Sequence, residues 1–445
     1  MEIRQCEDMQ EPMELLELPG ISLDYFLRGL AGEAYQDNAV FQELYSWYLQ
    51  SPEYRILVKK LTEASFSERP SDKIGKTVAK ILYGEISPYS ATRLERFAAC
   101  AFAHFLQYGL KVTERAEYEF RAMDMGNVMH MALEKFAVEV RKEGLDWAEL
   151  TEEERNRIID SCLDQVSADY GNTVLKSSAR NEYMIERTRR ILRRTVWALQ
   201  EQLKHGAFRP EGFEVRFQGG RIDRVDIMEE PENNRVYVKV IDYKTGNTSF
   251  DLLALYHGLQ LQLMVYLDGA LQVEKRKYPD REIVPAGVFY YNVKDPMIQE
   301  KIHADMESIN EQMLKKMKMN GLVQADDNMS TKIDSTMASI PVSLNRDGSF
   351  SKRSSVASRK QFDALGAYVR RKICDIRESI LDGNAAVEPY ELGKKNACTY
   401  CPYLTVCGFD RKIPGYEFHR LSSIGEDALW KKIMKGEEEN GSEMD

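Results

Sequence analysis

The chain has 445 residues, with 61 Lys and Arg against 71 Asp and Glu, for a formal net charge of −10. That balance excludes a polybasic coat over the whole surface but leaves room for a local basic channel. A hydrophobic fraction of 43% excludes disorder as a description of the whole chain. At roughly 100 to 200 residues per domain, the length suggests two to four domains. No stretch approaches the roughly 18 uninterrupted apolar residues of a membrane span, and residues 1 to 20 are acidic, without a basic-then-apolar leader. The expectation is a soluble cytoplasmic protein with no membrane partner.

Residues 1 to about 85 become helical in pattern, with Phe41, Leu44, Tyr45, Tyr48 and Leu49 on one helix face, so they form a small helical segment. Gly75-Lys76-Thr77 resembles the end of a phosphate-binding loop. The first glycine of that motif would fall on Pro70, which argues against an ATP site. Ser90 or Thr92 caps a helix through Leu94, Phe97, Phe102, Phe105 and Leu106 that carries Cys100. A second helix, from about Met123 to Val140, has an apolar stripe with His130 beside it. Two charged helical stretches follow, near 151–170 and 180–205.

The pattern then switches to period two. Gly212–Gln218, Gly220–Met228 and Arg235–Lys244 read as strands, with Pro231 to Asn234 as a turn. A helix near 253–271 and a strand over Ile283–Val293 come next. Residues 321–358 are polar and read as a long surface insertion, a helix from about 356 to 382 leads into a cysteine cluster, and 435–445 is an acidic tail expected to be disordered.

Alternation along the third strand puts Val236, Val238, Val240, Asp242 and Lys244 on one side. On the strand before it, Asp223 shares a face with Val225 and Ile227, while Arg224 and Asp226 point the other way. Each strand thus offers one inward acid. Two carboxylates with room for water and substrate oxygens suit Mg²⁺ or Mn²⁺ better than closed zinc, and Lys244 beside them could orient or deprotonate an attacking water. Asp242 and Lys244 alone would also make an ordinary strand-end ion pair. Gln262 and Tyr266 share a helix face at i, i+4. Glu134, one turn after His130, is a candidate to orient it, and Glu214 on the first strand is a candidate outlying acid.

Gly126-Asn127-Val128-Met129-His130, Gly220-Arg221-Ile222-Asp223, Asp242-Tyr243-Lys244 and Gln262-Leu263-Met264-Val265-Tyr266 occur in the order found in the RecB-like branch of the PD-(D/E)XK nucleases, which this chain resembles. The resemblance implies an α/β restriction-endonuclease-like core, a central mixed sheet flanked by helices, with helical insertions. It implies that His130, Asp223, Asp242 and the backbone carbonyl of Tyr243 bind the metal. Lys244 would be catalytic, with Gln262 and Tyr266 lining the site and positioning DNA.

The seven cysteines are Cys6, Cys100, Cys162, Cys374, Cys398, Cys401 and Cys407, an odd and sparse set that argues against a disulfide framework. The last three form C-x₂-C-x₅-C, enough for one inorganic centre with a fourth ligand. The spacing admits zinc, with His419 as a partner, as well as iron. The segment Ser90 to Cys100 and the cluster at 398–407 resemble the iron–sulfur nuclease domain of the AddB family, found in bacterial AddAB helicase-nucleases. That resemblance implies a [4Fe-4S] cluster on Cys100, Cys398, Cys401 and Cys407, stapling a nuclease domain over 86–425. Residues 1–85 would then be a remnant of a helicase-like region.

The function implied is Mg²⁺-dependent exonucleolytic hydrolysis of single-stranded DNA ends during double-strand break processing, beside an AddA-like helicase-nuclease partner that supplies the ATP-driven unwinding. Arg93, Arg96, Arg221 and Arg224 are candidates for the DNA backbone. The alternative is a catalytically silent iron–sulfur scaffold that grips the strand while the partner cuts.

Overall fold

In a computed structural model of the chain, residues 19–30, 39–65, 73–84, 90–113, 122–170, 178–298, 305–413 and 415–441 are described. They fall into two units, 1–71 and 72–445. The boundary thus precedes the helix Lys76–Tyr83, which buries Ala79 and Tyr83 within the larger unit. Lys76, in the segment resembling a phosphate loop, is paired with Asp382 at 3.0 Å. Cys6 lies outside the described residues.

The smaller unit has the helices Pro19–Leu30, Ala39–Gln50 and Arg55–Ser65. Phe26, Phe41, Tyr48 and Val58 meet between them. The Tyr48 hydroxyl donates to the Pro19 carbonyl at 2.6 Å, which satisfies it inside this small core.

The larger unit is built on a mixed six-stranded sheet in sequential order: β1 (Arg209–Phe217), β2 (Gly220–Glu230), β3 (Arg235–Lys244), β4 (Glu282–Asn292), β5 (Asn320–Gln324) and β6 (Val356–Ala357). β1, β2 and β3 are antiparallel neighbours, and β3 and β4 run parallel. The crossover from β3 to β4 carries the helix Gln262–Lys277. Every residue of β3 from Val236 to Tyr243 is buried, as expected of a strand covered on both faces.

Each face has its own core. Tyr237, Ile241, Tyr243, Phe289 and Tyr291 pack with the helices Ala122–Lys142, Glu152–Asp169 and Ala179–Lys204. Val225, Ile227, Val236, Val238 and Val240 pack with Gln262–Lys277 and Arg359–Leu381 on the other side. Thr151 and Ser358 start two of these helices with reciprocal caps, to Glu154 and Gln361.

Four elements depart from the sequence expectations. Residues 321–358 are not a surface insertion: they supply β5 and β6 and bury Leu322, Val323, Met329, Ile333, Ile340 and Val342. The helix expected near 253–271 is two helices, Leu252–Tyr256 and Gln262–Lys277, parted at Gly258, whose φ is +80°. The helix carrying Cys100 breaks there, into Ala91–Ala99 and Ala101–His104, because Cys100 is extended. The acidic stretch from residue 435 continues the helix Glu426–Gly441, which Leu429, Trp430 and Ile433 anchor in the second core. Residues 442–445 lie outside the described residues.

Candidate active site

Strand register assembles the acids. Pairing of Phe213 with Arg224 and of Val215 with Ile222 puts Glu214 opposite Asp223. The ladder through Arg224 and Ile241 places Asp223 opposite Asp242, and Asp242 pairs with Tyr290. One rung across the sheet therefore reads Asp223, Asp242 and Tyr290 with their side chains on one face, and Glu214, at a positive φ of 50°, brings its carboxyl to Asp223 from the neighbouring strand. Three acids in adjacent strands would repel unless a cation or a proton intervened.

His130 closes over this rung from the helix Ala122–Lys142, with Nδ1 3.2 Å from Asp223 Oδ2. Burial opposes a charged imidazole, but the hydrogen bond and charge of Asp223 outweigh it and hold His130 above its ordinary pKa. One donor atom each from His130, Glu214 and Asp223 lies within 4.8 Å of the others. Burial and the neighbouring Asp223 push the Glu214 carboxyl up to about 7, although Arg221 is ion-paired with it. An imidazole and two carboxylates crowded this closely, one of them pushed towards its neutral form, are a fitting cradle for a divalent cation.

Asp242 stands beside this trio. Its pKa is raised, by burial first and then by Asp223, with Lys244 pulling the other way. Lys244 Nζ lies 2.7 Å from Asp242 Oδ2 and donates to Gln262 Oε1 at 2.7 Å. The Gln262 amide nitrogen donates to Asp242 Oδ1 (3.0 Å) and to the Tyr266 hydroxyl (2.8 Å). Tyr243 enters through its backbone, with its amide donating to Asp223 Oδ2 at 2.7 Å. His130, Asp223, Asp242, Lys244, Gln262 and Tyr266 are thus brought to one place, with Tyr243 entering by its amide rather than by the carbonyl expected, and Glu214, expected as an outlying acid, supplies a third donor. One participant went unrecognised in the sequence. Glu95 accepts hydrogen bonds from the backbone amides of Leu261 (2.7 Å) and Gln262 (2.9 Å). Its signal was a charge on the apolar stripe of its own helix, four residues after buried Ala91.

The model of the PD-(D/E)XK nuclease superfamily matches residues 88–408, most of the chain and all of this centre. The chain belongs to that superfamily. Curated relatives named as B subunits of ATP-dependent helicase/deoxyribonucleases include one from Lachnoclostridium phytofermentans, 39% identical over 438 residues, covering 94% of this chain and 38% of the relative. Another, from Alkaliphilus metalliredigens, is 33% identical over 457 residues, covering 96% and 39%. A third, from Clostridium acetobutylicum, is 31% identical over 470 residues, covering 99% and 40%. The chain spans about two fifths of the length of these relatives.

Within this PD-(D/E)XK domain, three of the four arginines expected at DNA are engaged inside the protein. Arg224 is 1% exposed, makes a bidentate pair with Asp226 (2.6 and 2.9 Å) and lies over the Trp147 ring. Lys239 joins Asp226 at 3.0 Å, so this network fills the sheet face opposite the acids. Arg93 lies over the rings of Tyr83 and Tyr108 and donates to His104 Nε2 at 3.2 Å. Arg96 Nη2 reaches Cys401 Sγ at 3.9 Å, with its guanidinium over Tyr403. Arg221 is exposed at the rim, ion-paired with Glu214.

Cys100, Cys398, Cys401 and Cys407 line one pocket of about 20 Å³, with Phe102, Tyr403 and Phe409 around them. Burial first, and then the neighbouring thiols, push Cys398 up to about 11 and raise Cys100 as well. Four sulfurs gathered in one pocket, with the thiolates of Cys100 and Cys398 disfavoured, suit a centre whose positive charge would reverse that preference. His419 lies in a two-residue strand paired with Tyr390 and is exposed, outside this pocket. Cys162 is buried in the first core, and Cys374 is exposed. No described helix is long and apolar enough to cross a membrane.

Proposed function

We propose that this chain is a Mg²⁺-dependent deoxyribonuclease that trims single-stranded DNA ends, with the centre described above as its active site. The observation that carries the reading is the acid cluster Glu214, Asp223, Asp242 with His130 on one flank and Lys244 on the other. His130, Glu214 and Asp223 would hold Mg²⁺ or Mn²⁺, with Asp242 and the Tyr243 carbonyl completing the set. The ion, when bound, lowers the pKa of a water and neutralises charge developing on the phosphodiester. Lys244 is fixed by Asp242 and Gln262, which use two of its three N–H donors. The third is left for the attacking water or a phosphate oxygen. Tyr266, through Gln262, holds that geometry from the far side.

The four-cysteine pocket is assigned to a [4Fe-4S] cluster. Four sulfurs lining one pocket support that reading, and colour separates it from zinc on the same ligands, since an iron–sulfur cluster absorbs at roughly 400 nm and zinc does not. The names of its relatives, B subunits of ATP-dependent helicase/deoxyribonucleases, support a place in a helicase-nuclease, and the proposal extends to double-strand break processing beside an AddA-like partner that supplies the motor.

The test is digestion of end-labelled single-stranded DNA by anaerobically purified protein, with and without Mg²⁺, beside Asp242→Ala. Mg²⁺-dependent cutting that vanishes in the variant is the expected result. Brown, folded protein that binds DNA without cutting, even when the motor partner is supplied, would transfer the reading to a silent scaffold.

A further inference from the structure

Glu95 sits on the helix Ala91–Ala99, whose apolar residues Leu94 and Phe97 anchor it in the core shared with the sheet. Its side chain crosses to the start of the helix Gln262–Lys277. That helix begins without a cap of its own, since Leu261 offers no side-chain acceptor. The first amides of a helix have no partner within it. Glu95 Oε1 accepts from two amides at this start, those of Leu261 at 2.7 Å and Gln262 at 2.9 Å. A carboxylate from 166 residues away in sequence thus does the work of an N-cap.

The capped residue matters as much as the cap. Gln262 connects Lys244, Asp242 and Tyr266 through its side-chain amide. Moving its backbone by a fraction of an ångström would misalign three bonds together. The neighbour of Glu95 faces another way: Arg96 reaches the Cys401 sulfur, and Cys100 caps the same helix at its end. The Ala91–Ala99 helix therefore touches the cysteine pocket and the nuclease centre within one turn.

We propose that Glu95 is a positioning residue of the nuclease centre: by holding the Leu261 and Gln262 amides, it sets the place of Gln262 and through it the Lys244–Asp242 pair, and it ties that centre to the helix that ends at Cys100. The proposal rests on the nuclease reading above. Glu95 touches neither substrate nor metal in this scheme.

The experiment uses the full chain, purified anaerobically, as wild type, Glu95→Ala and Glu95→Gln. Glutamine keeps a carbonyl oxygen for the two amides, whereas alanine removes the acceptor. Expected for Glu95→Ala is a loss in kcat on single-stranded DNA of roughly tenfold or more, the scale of leaving two buried amides without their acceptor, with KM within about twofold and absorbance near 400 nm unchanged. Glu95→Gln restores most of the rate. Amide hydrogen exchange over residues 261–266, which needs no catalysis, is expected to accelerate in Glu95→Ala and return in Glu95→Gln. Unchanged exchange and rate in Glu95→Ala overturn the proposal. So does loss of rate together with absorbance and fold, if Glu95→Gln shows the same losses. Wild-type protein that does not cut, while exchange still responds to Glu95→Ala, refutes the nuclease reading and leaves the positional contact standing.

Discussion

Glu214 carries the largest residue-scale consequence, because a carboxyl that burial and Asp223 push up to about 7 has little reason to stay ionised without a cation. Glu214→Gln is expected to weaken Mn²⁺ binding by roughly 10- to 100-fold, the usual cost of disturbing a metal's surroundings, measured by calorimetric titration. Unaltered affinity would remove Glu214 from the donor set. His104 gives a pH dependence. It is fully buried, and burial, then Arg93 and Arg96, lower its pKa from 6.5 to about 3. The folded state therefore holds it neutral, so its contribution is complete above about pH 6.5 and is lost as pH falls towards 3. His104→Gln is expected to flatten the fall in melting temperature between pH 6.5 and 4, and an identical slope would contradict it. Asp223, Asp242 and Lys244 were legible because period-two alternation exposes any charge inside a valine face. Glu95 was not, since its partners are backbone amides, which no side-chain pattern marks. Arg224 was misjudged because alternation says which face a residue takes but not that helices cover that face as well.

At the scale of elements, the strands up to β4 and the helix faces followed from hydrophobic period, and the strands missed were β5 and β6. Leu322 and Val323 are buried, but polar neighbours dilute them below any recognisable strand pattern. Position 321 shows why so short a strand holds. A Cβ there would fall on the Val288 carbonyl oxygen and within 2.8 Å of Phe289 Cα, so only glycine lets β5 lie this close to β4. Gly321→Ala is expected to destabilise the larger unit by about 3 kcal/mol, at the upper end of overpacking costs, seen as a lower denaturant midpoint. A change below about 1 kcal/mol would mean that β4 and β5 separate easily. Helix breaks were equally hidden. Nothing in Ala-Ala-Cys100-Ala-Phe signals a stop, yet the extended backbone at Cys100 directs its sulfur into the pocket.

For the whole molecule, the cysteine pocket joins the break between the helices Ala91–Ala99 and Ala101–His104 to the segment 398–407, on either side of the whole six-stranded sheet in sequence. A metal centre held there, as proposed, would restrict the unfolded chain by closing a loop of that length and would add metal–ligand bonds to the folded one. Cys100→Ser is expected to lose absorbance near 400 nm and to lower the melting temperature by several degrees, as for a loss of about 2 kcal/mol in a chain of this size. Full absorbance in the variant would exclude Cys100 as a ligand. The same separation bears on timing. Cys398 leaves the ribosome 298 residues after Cys100 (398 − 100), which at about 5 to 20 residues per second is roughly 15 to 60 s later. A centre held by all four sulfurs can close only once residue 407 has been made, so its presence certifies that the strands between were translated in full.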